Sequence, residues 1–460
     1  MMYFRDKNKN SYKRIGVSQG LLVLILGFAI AGGFYQPVQA ETALQKQPAV
    51  IKKVFANGLT LLVKRNTANE VVVVNAFAGM GALYESTRER GISKLMQRVL
   101  IKGTTTRSAQ DIVYQTESLG ASISSNIVNY NSGTVSLKTT LTGFDTGFKI
   151  FLDTLMNPNF SEKEVAKEKA LMVQELKAST DQPVGEAYQN FLKLFYGNSP
   201  MGMTPDEIAG NVARMTRDDL LGWYKKIYQP GNLVISVVGD VEPQKIEETL
   251  AKTLGGWGKG EMPGPKELSA QTRTENRQVI RSRNSQAIFM ILGFPAPQIG
   301  DPDYPVMSVI NYIMGSDMGS RLFVELRDKK GLAYTVSTGY EAANYSSYLY
   351  TFMATAPGNY QAAKAGILKE FSRLTTEPVS LQELDVAKIA LKGGYLMEHE
   401  TNSTQNYFLG SYELSGLGYS FDEDYPKLID QVSAADVQRV ASKYLQNYSL
   451  SVISPVEIKE

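Results

Sequence analysis

Three polar side chains interrupt an otherwise apolar stretch in GISKLMQRVLIKGT, residues 91–104: Lys94, Gln97 and Arg98. Ile92, Leu95, Met96, Val99 and Leu100 recur at helical spacing, so the three polar residues are expected to project together from another face, one turn apart. Metal coordination is closed to them. A guanidinium has no lone pair to offer and stays protonated, an ammonium must first lose its proton, and two cations one turn apart repel a divalent ion. Gln97 cannot take a proton from water at any useful pH. Arg327 and Tyr334 stand seven residues apart in SRLFVELRDKKGLAYTVSTGY, residues 320–340. Without wider context, Arg327 would be one member of a charged helix end and Tyr334 the opening of a half-buried strand.

Composition removes most other chemistries. The chain has no cysteine and one histidine, His399, so thiol catalysis is absent and the usual zinc ligands are nearly so. A Ser-His-Asp triad would have to use His399, which sits in the helical stretch GGYLMEHETN and is expected to be solvated or hydrogen-bonded rather than catalytic. Charge is close to balanced, unlike the basic excess of a nucleic-acid binder, so no nucleic-acid partner is expected.

The elements that position these residues form a repeat. MTRDDLLGWYKKIYQPGNLVISVV, from Met215, lies over VSAADVQRVASKYLQNYSLSVIS, from Val432, at a constant offset of 217 without gaps. In each copy a hydroxyl residue, Thr216 or Ser433, stands three residues before an aspartate, Asp219 or Asp436, a capped helix start that leads through a short turn into an apolar strand. Upstream, Phe160–Val165 parallels Val379–Leu384 as a second pair of capped starts. The Gly/Pro-rich LGGWGKGEMPGPKE between the copies reads as a linker. Strands such as TLLVKR and VVVVNAFAG come early in each half and long helices follow. The expectation is an α+β fold: two similar tandem domains, residues 48–253 and 271–457, each an antiparallel-rich sheet packed with long helices, joined by the Gly/Pro linker 254–270.

With the flanking Gly91 and the trailing Lys-Gly-Thr at 102–104, the first helix resembles that of the pitrilysin and mitochondrial-processing-peptidase family of inverzincin metallopeptidases. The two-half organisation from about residue 48 to 457 fits the same family. In that family the helix carries H-x-x-E-H, two imidazoles that hold zinc and a glutamate that activates water. Here Lys94 and Arg98 replace the histidines and Gln97 the glutamate. The resemblance implies that Glu175, 77 positions after Arg98, matches the third ligand, a glutamate on a later helix. Glu175 is then either an ordinary surface carboxylate or a partner of Lys94 or Arg98 that closes the vacated site. The family also places an Arg and a Tyr near the scissile bond, and Arg327 and Tyr334 match them. The resemblance therefore implies a non-catalytic subunit of a heterodimeric zinc endopeptidase. Such a chain has no metal of its own, a homologous zinc-bearing partner, and a peptide or unfolded polypeptide as substrate. A scaffolding relative without any part in proteolysis is the alternative.

The first forty residues carry five basic side chains (Arg5, Lys7, Lys9, Lys13, Arg14) and one acidic, Asp6. The apolar run LLVLILGFAIA follows, then Val38-Gln39-Ala40 before Glu41. This is the layout of a signal peptide spanning residues 1–40, and it implies export to the periplasm. An uncleaved membrane anchor is the other reading of the same segment.

Overall fold

The computed structural model describes residues 49–260, 264–265 and 274–458. The expected signal segment, and much of the expected linker, lie outside the described residues.

In the first half the order is β1 (Val50–Val54), β2 (Thr60–Arg65), β3 (Val71–Gly79), α1 (Ile92–Leu100), α2 (Ala109–Ser118), β4 (Ser122–Ile127) and β5 (Ser132–Thr140). Four helices follow, α3 (Phe144–Met156), α4 (Glu162–Ala178), α5 (Pro183–Tyr196) and α6 (Pro205–Arg214). The half ends with α7 (Arg217–Ile227), β6 (Leu233–Gly239) and α8 (Pro243–Leu254). The second half runs β7 (Arg277–Ser282), β8 (Ile288–Ala296), α9 (Tyr304–Gly315), β9 (Thr335–Glu341) and β10 (Ser347–Thr355). It closes with α10 (Tyr360–Thr376), α11 (Leu381–Glu398), α12 (Asn402–Leu414), α13 (Phe421–Gln431), α14 (Ala434–Tyr444) and β11 (Ser449–Ser454).

The sheets are ordered β1-β2-β6-β3-β5-β4 and β7-β11-β8-β10-β9. Apart from the added β1, the two orders are the same. In each sheet one neighbouring pair is parallel, β2 with β6 and β7 with β11, and the others are antiparallel. The duplicated helix starts also match: Thr216 and Ser433 both form capping boxes, with Asp219 and Asp436. Ser161 and Ser380 cap α4 and α11.

The central strands are buried on both faces, which is why β3 and β6 read as near-continuous apolar runs rather than alternating ones; β11, SLSVIS, is equally buried but carries serine at three of its six positions. Covering both faces takes a helix from the opposite half. α5 packs on β8 and β11, and α12 packs on β3 and β6. Residues 183–196 and 402–414 therefore pack across the division expected at the linker. Helical periodicity shows that a helix has an apolar face; it carries no address for the sheet that face will cover.

Each exchanged helix meets a close approach. A Cβ on Gly293 of β8 would stand 2.6 Å from the Phe191 ring of α5, and one on Gly410 of α12 would stand 2.1 Å from the Phe77 ring of β3. Hydrogen bonds fix the register. Asn406 donates to the carbonyls of Val73 and Ser236, bridging β3 and β6, while Tyr196 donates to the Ser346 carbonyl. The linker also starts later than its composition suggests. Leu254 ends α8 in the core, and Asn57 donates to the carbonyls of Leu254 and Trp257.

Gly410→Val is expected to destabilise the protein by about 1–3 kcal/mol or more, because the added carbons collide with Phe77 in a packed core. Gly393→Ala, in α11 where a Cβ meets nothing within 4 Å, should instead stabilise by roughly 0.5–1 kcal/mol. Guanidinium denaturation of the two variants checks both signs.

Candidate functional site

The N-terminus of α1 has no capping side chain of its own, since Gly91 stands at the cap in a left-handed conformation with φ 105°. The buried Glu85 supplies the cap from outside the helix. Its carboxylate accepts from the backbone N–H groups of Gly91 (3.0 Å) and Ser93 (2.9 Å) and from Arg90 Nη1 (3.1 Å). Ser93 Oγ accepts from Gly81 N–H and Trp223 Nε1, tying the same turn to the sheet and to α7. The apolar face predicted from spacing is buried, with Ile92, Leu95, Met96, Val99 and Leu100 all in the core.

Lys94, Gln97 and Arg98 lie within about 100° of arc on α1, but they differ in burial. Lys94 is exposed. Gln97 is 1% exposed; its Oε1 accepts from Ser125 Oγ (2.5 Å) and Tyr228 OH (3.0 Å), and its Nε2 lies 3.2 Å from Met80 Sδ. At 100° per residue Gln97 falls about 60° from Lys94 on the side away from Arg98, towards Ser93 and Leu100, and so turns into the protein.

Arg98 is held by two carboxylates of α4. It donates to Glu175 through both terminal nitrogens, at 2.6 and 3.0 Å, and to the buried Glu168 through Nε at 2.9 Å. Lys102 adds a second cation 3.4 Å from Glu168. The hydrogen bond from Arg98 holds the Glu175 carboxyl below the usual range, with further help from the charges of Arg98 and Lys94 against some desolvation. The Arg98 guanidinium is raised in turn, first by that bond to Glu175. Desolvation lowers the Lys94 ammonium; Glu175 partly opposes this, while Arg98 and Arg90 add to it. Glu168 stands two helical turns before Glu175, so the i, i+7 spacing on α4 was a signal that could have found it. Nothing in the local sequence marks Glu85 as the cap.

These residues do not fit zinc. The Glu175 carboxylate is engaged bidentately by a guanidinium, the amide at 97 points into the core, and among the described residues no three His, Cys, Asp or Glu side chains converge. His399 caps α11, with Nε2 2.8 Å from Asp422, Nδ1 against the Tyr395 carbonyl and the ring stacked on Phe408. Burial would lower its pKa, but the hydrogen bond and charge of Asp422 outweigh this and raise it. With both ring nitrogens occupied, it has none left for a serine nucleophile.

The second-half pair presents itself differently. Arg327 lies on a π-helical turn, Phe323–Asp328, with its guanidinium 4.6 Å from the centre of the Phe323 ring. Tyr334 is 62% exposed and its backbone N–H donates to Ala354, which leads the chain into the edge strand β9. Among the described residues neither the guanidinium nor the phenol has a hydrogen-bond or ion-pair partner. The turn between them is made by Gly331 at φ 61°. Upstream, Arg321 donates to Glu383 at 2.7 and 3.1 Å, fastening the segment to the start of α11.

Comparison with known proteins follows this geometry. Residues 60–204 match a family described as "Insulinase (Peptidase family M16)" and residues 214–391 match "Peptidase M16 inactive domain". An uncharacterized zinc protease of Rickettsia felis is 27% identical over 88% of this chain and 97% of its own length. The zinc protease PqqE of Helicobacter pylori is 23% identical over 95% of this chain and 97% of its own. Among solved structures, a protease from Helicobacter pylori shares the fold with a TM-score of 0.81 at 22% identity, covering 89% of this chain and 100% of that one. A peptidase M16 inactive domain from Pseudomonas fluorescens also scores 0.81, at 21% identity over 89% of this chain and 99% of that one.

Glu85→Ala should cost about 3–5 kcal/mol, because it strands Arg90 and two helix N–H groups in a buried place, whereas Glu175→Ala, on the exposed side of its pair, should cost under about 1 kcal/mol. Denaturant titration separates the two. A pH effect follows from Glu383. Burial alone would raise its carboxyl, but the hydrogen bond from Arg321 and the helix-cap bonds with Ser380 bring it down to about 2. A depressed folded pKa stabilises above the unfolded value and is lost as pH falls through the folded one. The stability gap between wild type and Glu383→Gln should therefore be full above pH 4.5 and shrink towards pH 2.

Proposed function

Because the chain belongs to peptidase family M16, we propose that it is the non-catalytic subunit of a two-chain zinc endopeptidase. A homologous partner holds the metal, and this chain contributes Arg327 and Tyr334 to substrate bound there. The observation that carries the reading is a contrast within one molecule. The third-ligand position is closed by the Arg98–Glu175 ion pair, whereas Arg327 and Tyr334 keep their donors free on an exposed edge. A resident guanidinium opposes a divalent ion at the first place, and unspent donors suit a peptide carbonyl and a developing oxyanion at the second. A metal held by the partner would activate the hydrolytic water; Arg327 orients the chain being cut and Tyr334 steadies the oxyanion. The substrate is a peptide or unfolded polypeptide, and the complex works outside the cytoplasm, in the periplasm, as the basic and apolar start of the chain suggests.

The purified chain should carry no stoichiometric zinc by elemental analysis, and chelator-sensitive peptide cleavage by a homogeneous single-chain preparation would contradict the reading. The decisive assay uses the zinc-bearing chain that co-purifies from the native host. In the reconstituted pair, Tyr334→Phe or Arg327→Ala should lower turnover by on the order of 10² to 10³, with the complex intact by size-exclusion chromatography. Unchanged turnover in both variants would return Arg327 and Tyr334 to ordinary packing and favour a scaffold.

A further inference from the structure

A cavity of about 200 Å³ lies between the halves, bounded by the start of α1, the β4–β5 turn, α5 and the end of β9. Its aromatic walls are Tyr130, Tyr188, Tyr345 and Tyr348. Four ionisable side chains of opposite kinds also line it, and two are already engaged: Arg90 with Glu85 and with the Pro200 carbonyl, and Glu85 with the helix start. The remaining two are Lys94, from the first half, and Glu341, from the second. Among the described residues neither has a direct hydrogen-bond or ion-pair partner, and neither reaches the other. Burial raises the Glu341 carboxyl. A carboxylate in that position gains from an arriving cation.

The duplication supplies an internal control. The equivalent cavity beside α9 and α12, about 240 Å³, is lined by tyrosines such as Tyr304, Tyr407 and Tyr412 and by amides and hydroxyls, with no Lys, Arg, Asp or Glu. Opposite charges on facing walls are therefore a property of the first cavity and not of the fold.

We propose that the cavity beside α1 binds a small zwitterion, a free amino acid or dipeptide, with its carboxylate on Lys94, its ammonium on Glu341 and its side chain against the tyrosine rings. An inorganic anion would leave Glu341 unpaired, a simple cation would leave Lys94 unpaired, and a neutral ligand would leave both. Only a ligand with both charges satisfies both walls, and tyrosine faces favour an ammonium as well as an apolar side chain. The volume suits a ligand of this size and is too small for a folded segment. The site does not depend on the assignment of a catalytic partner.

Calorimetric titration of the full mature chain tests it with leucine, glycyl-leucine, N-acetyl-glycyl-leucine and glycyl-leucinamide. One of the first two should bind one to one, and whichever is tighter identifies the source. Capping either end of the dipeptide should weaken binding at least about tenfold. Lys94→Gln should abolish the preference for a free carboxylate and Glu341→Gln the preference for a free ammonium, with circular dichroism confirming that each variant is folded. Equal binding of capped and free peptides, no binding of any probe at millimolar concentration, or unchanged preferences in folded variants would each overturn the proposal.

Discussion

A sheet has two faces, and in this molecule neither sheet covers both with helices from its own half. The exchange of α5 and α12 resolves this, and the rest of the structure depends on it. It buries the central strands on both sides and fixes the two halves as neighbours through Phe77 against Gly410 and Phe191 against Gly293. It also brings together the β4–β5 and β9–β10 turns, where Tyr130 meets Tyr345 edge-on and Asn131 bonds Asn344. Burial of apolar area supplies the driving force, but steric fit at two glycines decides which helix lies where.

Electrostatics then divides the charged residues near α1 into two groups. Glu85, Arg90, Arg98, Glu168 and Glu175 are paired, and together they hold α1 to the loop before it and to α4. A bidentate guanidinium–carboxylate pair is geometrically rigid, so the clamp on α4 keeps the helix in place much as a shared metal would, without a metal's chemistry. Lys94 and Glu341 make no direct hydrogen bond or ion pair among the described residues, and a charge without a direct partner is what makes a surface able to recognise something else.

Much of this was legible in the sequence, and the reasons are local. Thr216 with Asp219 and Ser433 with Asp436 cap helices through bonds spanning three residues, so their pattern carries its own geometry. The offset of 217 survives because the sheets share an order. Other features depend on distance through space. The covering of β3 by α12, the cap from Glu85 and the approach of Glu341 to the Lys94 cavity leave no mark in any short window. Gln97 is an intermediate case. Its residue type excludes it as a base, while its place at the edge of the polar arc, next to Ser93 and Leu100, is what buries it.

The surroundings of Gln97 and Arg98 bear on how readily a metal site could be built here. Histidine at 98 would remove the guanidinium and leave the buried Glu168 with Lys102 alone. Glutamate at 97 would put a carboxylate where an amide now faces Ser125, Tyr228 and Met80 in the core. A third change, at 94, would still be needed before any ligand set existed. Each step taken alone moves through a less stable molecule. The packing around Gln97 and Arg98 is thus itself a barrier to a metal site on this helix, one that no single substitution removes.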